Sequence, residues 1–202
     1  MRDDVLPVLL LEQARSGNDV ALGALLELYR NYLRLVARSL ISSALRVKLE
    51  PSDLVQETFL KAHREFTQFA GQSERELVSW LRRILVRSLS NQVKHHRRMA
   101  RDHLRQESLE QLLDRSSSTI QQALATSINS PSEQASRREQ AVLLADALNR
   151  LPDHYRETFI QRTLEHVPFE PIAAELGRSV GAVRMLWARA VKRLTQILEE
   201  DT

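Results

Sequence analysis

FEPIAAELGRSVGAVRMLWARAVKRL, residues 169–194, decides how this chain is read. Phe169, Ile172, Ala173 and Leu176 recur at helical spacing and predict one buried face of a short helix. Pro171 fits the first turn of such a helix, where the N–H it lacks would be unpaired. Gly177 tolerates the positive φ that a tight inter-helix turn needs, and Ser179 is placed to cap the next helix. Val180, Val183, Trp187, Ala190, Val191 and Leu194 predict the buried stripe of that helix. Ala173, Gly177 and Val183 then supply a small residue at the helix crossing, a turn residue and an aliphatic wedge, the pattern of a helix-turn-helix. The outward face carries Arg184, Arg189, Lys192 and Arg193 and no acid, which suits the major groove of duplex DNA. A plain helical hairpin with a solvated basic face would show the same local pattern, so the rest of the chain has to separate the two.

Composition narrows the fold class. The chain has 202 residues, 43% of them hydrophobic, with only 5 Gly and 6 Pro. Leu, Ala, Arg, Gln and Glu dominate, so an all-α protein is expected. With no Cys there is no disulfide framework and no thiolate metal site. The run VLPVLLL, residues 5–11, is far too short to span a bilayer, and no signal-peptide pattern precedes it, so no membrane insertion and a cytoplasmic location are expected. The net charge of +3 hides an asymmetry. Between Leu81 and Arg105 stand eight Lys and Arg (Arg82, Arg83, Arg87, Lys94, Arg97, Arg98, Arg101, Arg105) against a single acid, Asp102. Such a concentration points to a polyanionic partner.

Apolar periodicity divides the chain. Leu22, Leu25, Leu26, Tyr29, Leu33, Val36, Ala37 and Leu40 keep one helical period. A second helix is predicted from about Asp53 to Phe69, with Val55, Phe59, Ala62, Phe66 and Phe69 inward. AGQSE, residues 70–74, reads as a loop. A third helix starts near Arg75, buries Leu77, Trp80, Leu81, Ile84, Leu85 and Ser88, and continues into the basic stretch. Residues 1–105 therefore form one small helical domain. Residues 106–136 hold eight Ser, five Gln and no aromatic, with SSS at 116–118 and NSPS at 129–132, and read as a flexible linker in which Leu109, Leu112, Leu113, Ile120 and Leu124 could dock a turn of helix. Residues 137–202 form a second helical domain. Ala141, Leu144, Ala145, Leu148 and Leu151 make its first helix face, and Tyr155, Phe159, Ile160 and Leu164 the next.

Four strings in this order resemble a known family. DLVQETFLKAHREF (53–66) looks like region 2.2 of the bacterial sigma-70 family of RNA polymerase sigma factors. SWLRRIL (79–85) resembles that family's Trp-Leu stretch, with the basic continuation of region 2.4 after it. ALNRLPDHYRETF (147–159) and GRSVGAVRMLWARAVKRL (177–194) resemble the opening and the DNA-reading end of region 4. With only these two regions, the layout is similar to the extracytoplasmic-function (ECF) subfamily, and the linker with PSEQASRREQ (131–140) resembles its planctomycete type. The resemblance implies a dissociable, non-enzymatic subunit without cofactor. It binds core RNA polymerase through the β′ clamp helices and the β flap, directs it to promoter DNA and helps melt the duplex. Region 4 would read the −35 element and region 2 the −10 element, and an anti-sigma factor is a further partner the resemblance allows.

The same resemblance places residues. Asp53, Gln56 and Glu57 would dock on polymerase. Their bare chemistry also fits an N-cap at Asp53 with Gln56 three residues on, and a Glu57–Lys61 pair. Trp80 fits either a core position beside Leu77 and Ile84 or a π-face for an unstacked base. Arg82, Arg83, Arg87, Asn91, Lys94, Arg97 and Arg98 would share one extended basic surface for the −10 element. Where the family often carries Asn and Asp, this chain has Ser88 and Asn91. The loop 70–75 would hold a captured base, yet it contains no aromatic residue. In the second domain Ser179, Arg184, Met185, Ala188, Arg189 and Lys192 would face the −35 duplex. There the arginines could bridge guanine O6 and N7, and Lys192 and Arg193 could meet phosphate. His95, His96, Asp102 and His103 do not make a metal centre, because a charge-rich helix end offers no preorganised dry cavity. The rival reading is a non-sigma helix-turn-helix regulator that acts as a dimer on paired half-sites. A helical adaptor meeting RNA or acidic proteins is a third.

Overall fold

The computed structural model describes residues 5–41, 48–100, 108–127 and 137–200. Among these every regular element is a helix, and they fall in two compact units, residues 1–115 and 116–202. The first unit contains α1 (Val5–Arg15), α2 (Asp19–Leu28), α3 (Arg30–Leu40), α4 (Pro51–Glu65) and α5 (Glu74–Ala100). The helix α6 (Leu109–Ser127) begins in the first unit and ends in the second. The second unit continues with α7 (Arg137–Arg150), α8 (Asp153–Phe159), a π-helical turn over Ile160–Leu164, α9 (Phe169–Leu176) and α10 (Val180–Glu200).

The single apolar period from Leu22 to Leu40 is carried by two helices. The break falls at Tyr29, whose φ of −100° and ψ of 5° leave the helical basin. All eight residues of the stripe are nonetheless buried. Upstream, Asn18 caps α2 by accepting the Ala21 N–H at 3.0 Å. The helix α4 starts earlier than expected. Pro51 occupies its first turn, where no N–H is required, and Glu50 stands at the N-cap, so Asp53 lies inside the first turn and is not the cap. A short 3₁₀ turn, Phe66–Gln68, then ends the run.

At 27 residues, α5 is about 40 Å long. Its start is a reciprocal capping box: the Ser73 hydroxyl accepts the Glu76 N–H at 3.3 Å, and the Glu76 carboxylate accepts the Ser73 N–H at 3.1 Å. Much of the segment expected as a flexible linker is instead the 19-residue helix α6. Its Ser-rich composition hides a stripe: Leu112, Ser116, Thr119, Ile120, Ala123 and Leu124 are buried and lie within about 140° of arc. Serine and threonine hydroxyls are small enough to sit in that stripe, and a hydroxyl can return to its own helix, as Thr126 does to the Gln122 carbonyl at 2.9 Å.

The helix-turn-helix closes as its residues dictate. Gly177 adopts φ 61°, ψ 34°. Its N–H donates to the Ala174 carbonyl at 3.3 Å, and the Arg178 N–H to the Ala173 carbonyl at 2.9 Å, the paired bonds of a Schellman motif. Ser179 Oγ then accepts the Ala182 N–H at 3.2 Å and caps α10. Ile172, Ala173 and Val183 form the buried cluster between the two helices, with Val167, Phe169 and Val180 packed on it. Leu176, expected on that buried face, is 40% exposed.

Two glycines should respond to alanine with opposite sign. A Cβ on either meets no atom within 4 Å, so space is not the constraint. Gly177 needs the left-handed basin, and Gly177→Ala should lower stability by about 1–2 kcal/mol. Gly23 sits on the exposed face of α2, and Gly23→Ala should raise it by about 0.5–1 kcal/mol. Urea unfolding of each variant against the parent chain checks both signs.

Candidate nucleic-acid interface

The face of α5 is set by arithmetic on its period. At 100° per residue, Trp80, Arg83, Arg87, Asn91 and Lys94 fall within about 80° of arc. Arg83, Arg87, Asn91 and Lys94 are exposed, and Trp80 is half-buried. The sequence-expected strip is therefore a continuous line along one helix, four polar residues long with a ring at its N-terminal end. Arg82 does not belong to it. It lies a third of a turn away, is buried, and its Nη2 donates to the Leu113 carbonyl at 2.9 Å. Arg115 makes the companion bond to the Leu40 carbonyl at 3.2 Å. These two arginines fasten the start of α6 to the first unit. The side chains of His95, His96, Arg97 and Arg98 lie outside the described residues, as do Arg101, Asp102, His103 and Arg105.

Trp80 joins the two readings left open for it. Its ring lies 5.0 Å from the Phe69 ring and 6.2 Å from the Phe66 ring, and those two stack at 5.8 Å. It is thus the rim of an aromatic cluster, half inside and half toward the basic strip. The loop 70–75 contributes no ring, but Phe69 immediately before it closes over Gly71. A Cβ at Gly71 would run into the Phe69 ring and come within 2.9 Å of the Glu76 Cβ, so only glycine fits this close approach. The loop is held on both sides. Arg15 Nη1 donates to the Gly71 carbonyl at 2.8 Å. The Glu76 carboxylate accepts from the Gln72 N–H at 2.9 Å and from the Ser73 hydroxyl at 2.8 Å as well as from the Ser73 N–H. Those backbone and hydroxyl donors hold the Glu76 carboxyl below the usual glutamate range.

On α4, Asp53 and Gln56 are exposed, and they share about 100° of arc with Glu57 and Leu60. Glu57 is half-buried and engaged. Lys61 Nζ donates to it at 2.5 Å and to Ser88 Oγ at 2.9 Å, and Gln92 Nε2 donates to its other oxygen. The expected Glu57–Lys61 pair is present, and through Ser88 and Gln92 it ties α4 to α5. Leu60, which sequence reasoning left out, is 59% exposed in the middle of this face. Its position seven residues after Asp53, two helical turns on, is the signal that could have found it.

On α10, Arg184, Met185, Ala188, Arg189 and Lys192 are all exposed and occupy about 140° of arc. Ser179, also exposed, caps that helix. Behind them Trp187 donates its indole N–H to Thr163 Oγ1 at 3.1 Å and meets Phe169 edge-on at 6.1 Å. Arg184 lies over the Phe169 ring at 5.6 Å, and Arg162 lies over the same ring at 4.7 Å. Sequence reasoning placed Phe169 on the buried face of α9 but did not single out Arg162. The π-helical turn that places Arg162 has no simple sequence signature.

Among the described residues no group of three or more His, Asp or Glu is placed to hold a metal ion, and no helix is long and apolar enough to cross a membrane.

The sigma-70 region 2 family model matches residues 27–108, and the sigma-70 region 4 model matches residues 141–194. The ECF RNA polymerase sigma factor BldN of Streptomyces coelicolor is 29% identical over 95% of this chain, which spans 66% of BldN's own length. The ECF RNA polymerase sigma-E factor of Haemophilus influenzae is 26% identical over 90% of this chain and 89% of the relative. Among solved structures, CnrH in complex with the cytosolic domain of CnrY is 22% identical over 98% of this chain and 99% of that one, with a TM-score of 0.35. The sigma factor RpoE in complex with the anti-sigma factor NepR, from Bartonella quintana, is 26% identical over 84% of this chain and 91% of that one, with a TM-score of 0.32.

The loop at residues 70–76 has a pH signature. Glu76 has a lowered folded-state pKa, so the stability it contributes is present above the ordinary glutamate range and is lost as pH falls through the lowered value. In an NMR titration the Gln72 and Ser73 amides should shift together at a pH below the midpoint of the other glutamates. Glu76→Gln should remove that step. Amides that titrate with the bulk of the carboxylates would show that the capping box is not formed.

Proposed function

The chain belongs to the sigma-70 family, as a sigma factor of the ECF type, and we propose how its own residues divide that work. It binds core RNA polymerase, directs it to promoter DNA and takes part in opening the duplex, and it supplies no catalytic group. Its place of action is the cytoplasm, with the polymerase. The observation that carries the division of roles is the single α5 face on which Trp80, Arg83, Arg87, Asn91 and Lys94 line up.

Positive charge at 83, 87 and 94 follows the phosphates of a strand, a contact that needs little geometry beyond reach. Trp80, held by Phe66 and Phe69, offers ring surface where a base leaves the stack, a contact worth about 1–3 kcal/mol per base. The neighbouring helix α4 turns Asp53, Gln56 and Leu60 outward, an acidic and apolar surface unsuited to DNA and suited to a basic protein groove on polymerase. Glu57 serves from behind, fixing α4 against α5 through Lys61, Ser88 and Gln92. In the second unit α10 enters the major groove. Arg184 and Arg189 read bases, Met185 and Ala188 give apolar contact, Lys192 meets phosphate, and the N-terminus capped by Ser179 faces the backbone. Residues 1–105, 106–136 and 137–202 act as −10 module, connector and −35 module. An anti-sigma factor would compete for the same faces. A regulator that used only the helix-turn-helix would leave the α4 and α5 faces without purpose.

Reconstitution tests this. The purified chain mixed with bacterial core polymerase should give promoter-dependent transcription, and failure to bind core would end the reading. Arg189→Ala should lower promoter preference more than general DNA affinity, by roughly 1–3 kcal/mol of discrimination. Lys192→Ala should weaken all sequences alike and flatten the salt dependence by roughly 0.9 in log–log slope. Identical behaviour of the two variants would contradict the sorting of base from phosphate contacts.

A further inference from the structure

Phe169 sits at the first position of α9, half-buried, with two guanidinium groups on its ring. Arg162 comes from the π-helical turn before α9, at 4.7 Å from the ring centroid. Arg184 comes from the second turn of α10, at 5.6 Å. The ring itself is not free to swing. Trp187 meets it edge-on at 6.1 Å and 75°, and Trp187 is in turn fixed by its N–H bond to the buried Thr163 hydroxyl. Arg162 is also tied to its own loop, since its Nη1 donates to the Val167 carbonyl at 3.4 Å.

Two guanidinium groups gathered at one ring concentrate positive charge and hydrogen-bond donors, which suits an anionic, acceptor-rich partner. An arginine on an exposed helix face otherwise loses considerable rotamer freedom when it grips a base, and holding it in advance reduces that cost. At 100° per residue Arg184 lies only about 60° from Trp187, at the edge of the exposed face where the helix turns toward α9. It also stands near the N-terminus of α10, the part of a recognition helix that reaches base edges.

We propose that Phe169 is a specificity-determining positioning residue: its ring holds the Arg184 guanidinium in the orientation that reads a base, while Arg162, held on the same ring, grips the adjoining phosphate. This rests on the assignment of α10 to duplex DNA. Phe169 acts through Arg184 and touches no base itself.

The test uses holoenzyme, reconstituted from the full chain and core polymerase, and a pool of duplexes randomised over the upstream element. Arg184→Ala should abolish preference at one base-pair position. Phe169→Leu keeps an apolar side chain against Trp187 and should reduce preference at that same position by about two- to fivefold, the worth of an exposed cation–π contact. Preference elsewhere and core binding should stay unchanged, and Phe169→Tyr should restore the lost preference. The double variant Phe169→Leu, Arg184→Ala should be no worse than Arg184→Ala alone. Arg162→Ala should weaken every sequence alike and flatten the salt slope. A Phe169→Leu holoenzyme with undiminished preference, or one that loses preference at all positions equally, overturns the proposal while leaving the sigma-factor reading intact. If Arg184→Ala leaves every preference unchanged, both the proposal and the base-reading role of Arg184 fall. Wild-type protein that never joins core defeats the underlying reading.

Discussion

The first unit depends on how one 27-residue helix shares out its circumference. About 200° of α5, from Ile84 round to Val86, is buried, which is more than a helix packed on one side would give up. The surplus comes from several neighbours, since α4, α3 and α1 all pack on it. The Lys61–Ser88 and Gln92–Glu57 bonds hold α4. Arg82 on α5 donates to the Leu113 carbonyl of α6, and Arg115 of α6 donates to the Leu40 carbonyl of α3. On the remaining arc, Arg83, Arg87, Asn91 and Lys94 run in line with Trp80, and Glu76 is the acid at its N-terminal end. Because the helix is continuous, its charges are set out along one axis, as the phosphates of a strand are.

The second unit relies on a different constraint, a backbone one. Gly177 in the left-handed basin and Ser179 at the N-cap fix where α9 stops and α10 starts, and Ala173 and Val183 fill the crossing. The Thr163–Trp187 bond then anchors an aromatic pair behind the exposed face of α10. Backbone, core and surface are linked here in three steps. A change at Thr163 would be felt at Trp187, then at Phe169, then at the arginines that lie on it.

Much of this was legible in the sequence, for identifiable reasons. The helix-turn-helix could be read because glycine, serine and small apolar residues have few alternative uses at that spacing. The basic strip could be read because helical period sorts Arg83, Arg87 and Lys94 onto one side. The exceptions share a cause. Arg82 counts as surface by composition, but it is buried and donates to the Leu113 carbonyl of α6, a tertiary contact. Helix α6 itself was obscured because Ser116 and Thr119, buried in its stripe, look like loop residues when counted by type. The break at Tyr29 is invisible because the apolar period runs through it unbroken. The Phe69 closure over Gly71 is local but depends on a side-chain rotamer that periodicity does not report, and the Arg162–Phe169–Arg184 contact joins three elements whose sequences carry no sign of each other.

The central claim is that neighbouring helices of the first unit face different macromolecules, α5 the DNA and α4 the polymerase. Site-specific photo-crosslinking in an assembled open complex tests it most directly. A photoreactive residue at position 87 should attach to promoter DNA near the melted segment, and one at position 60 should attach to polymerase and not to DNA. Crosslinks to polymerase from 87, or to DNA from 60, would contradict the account.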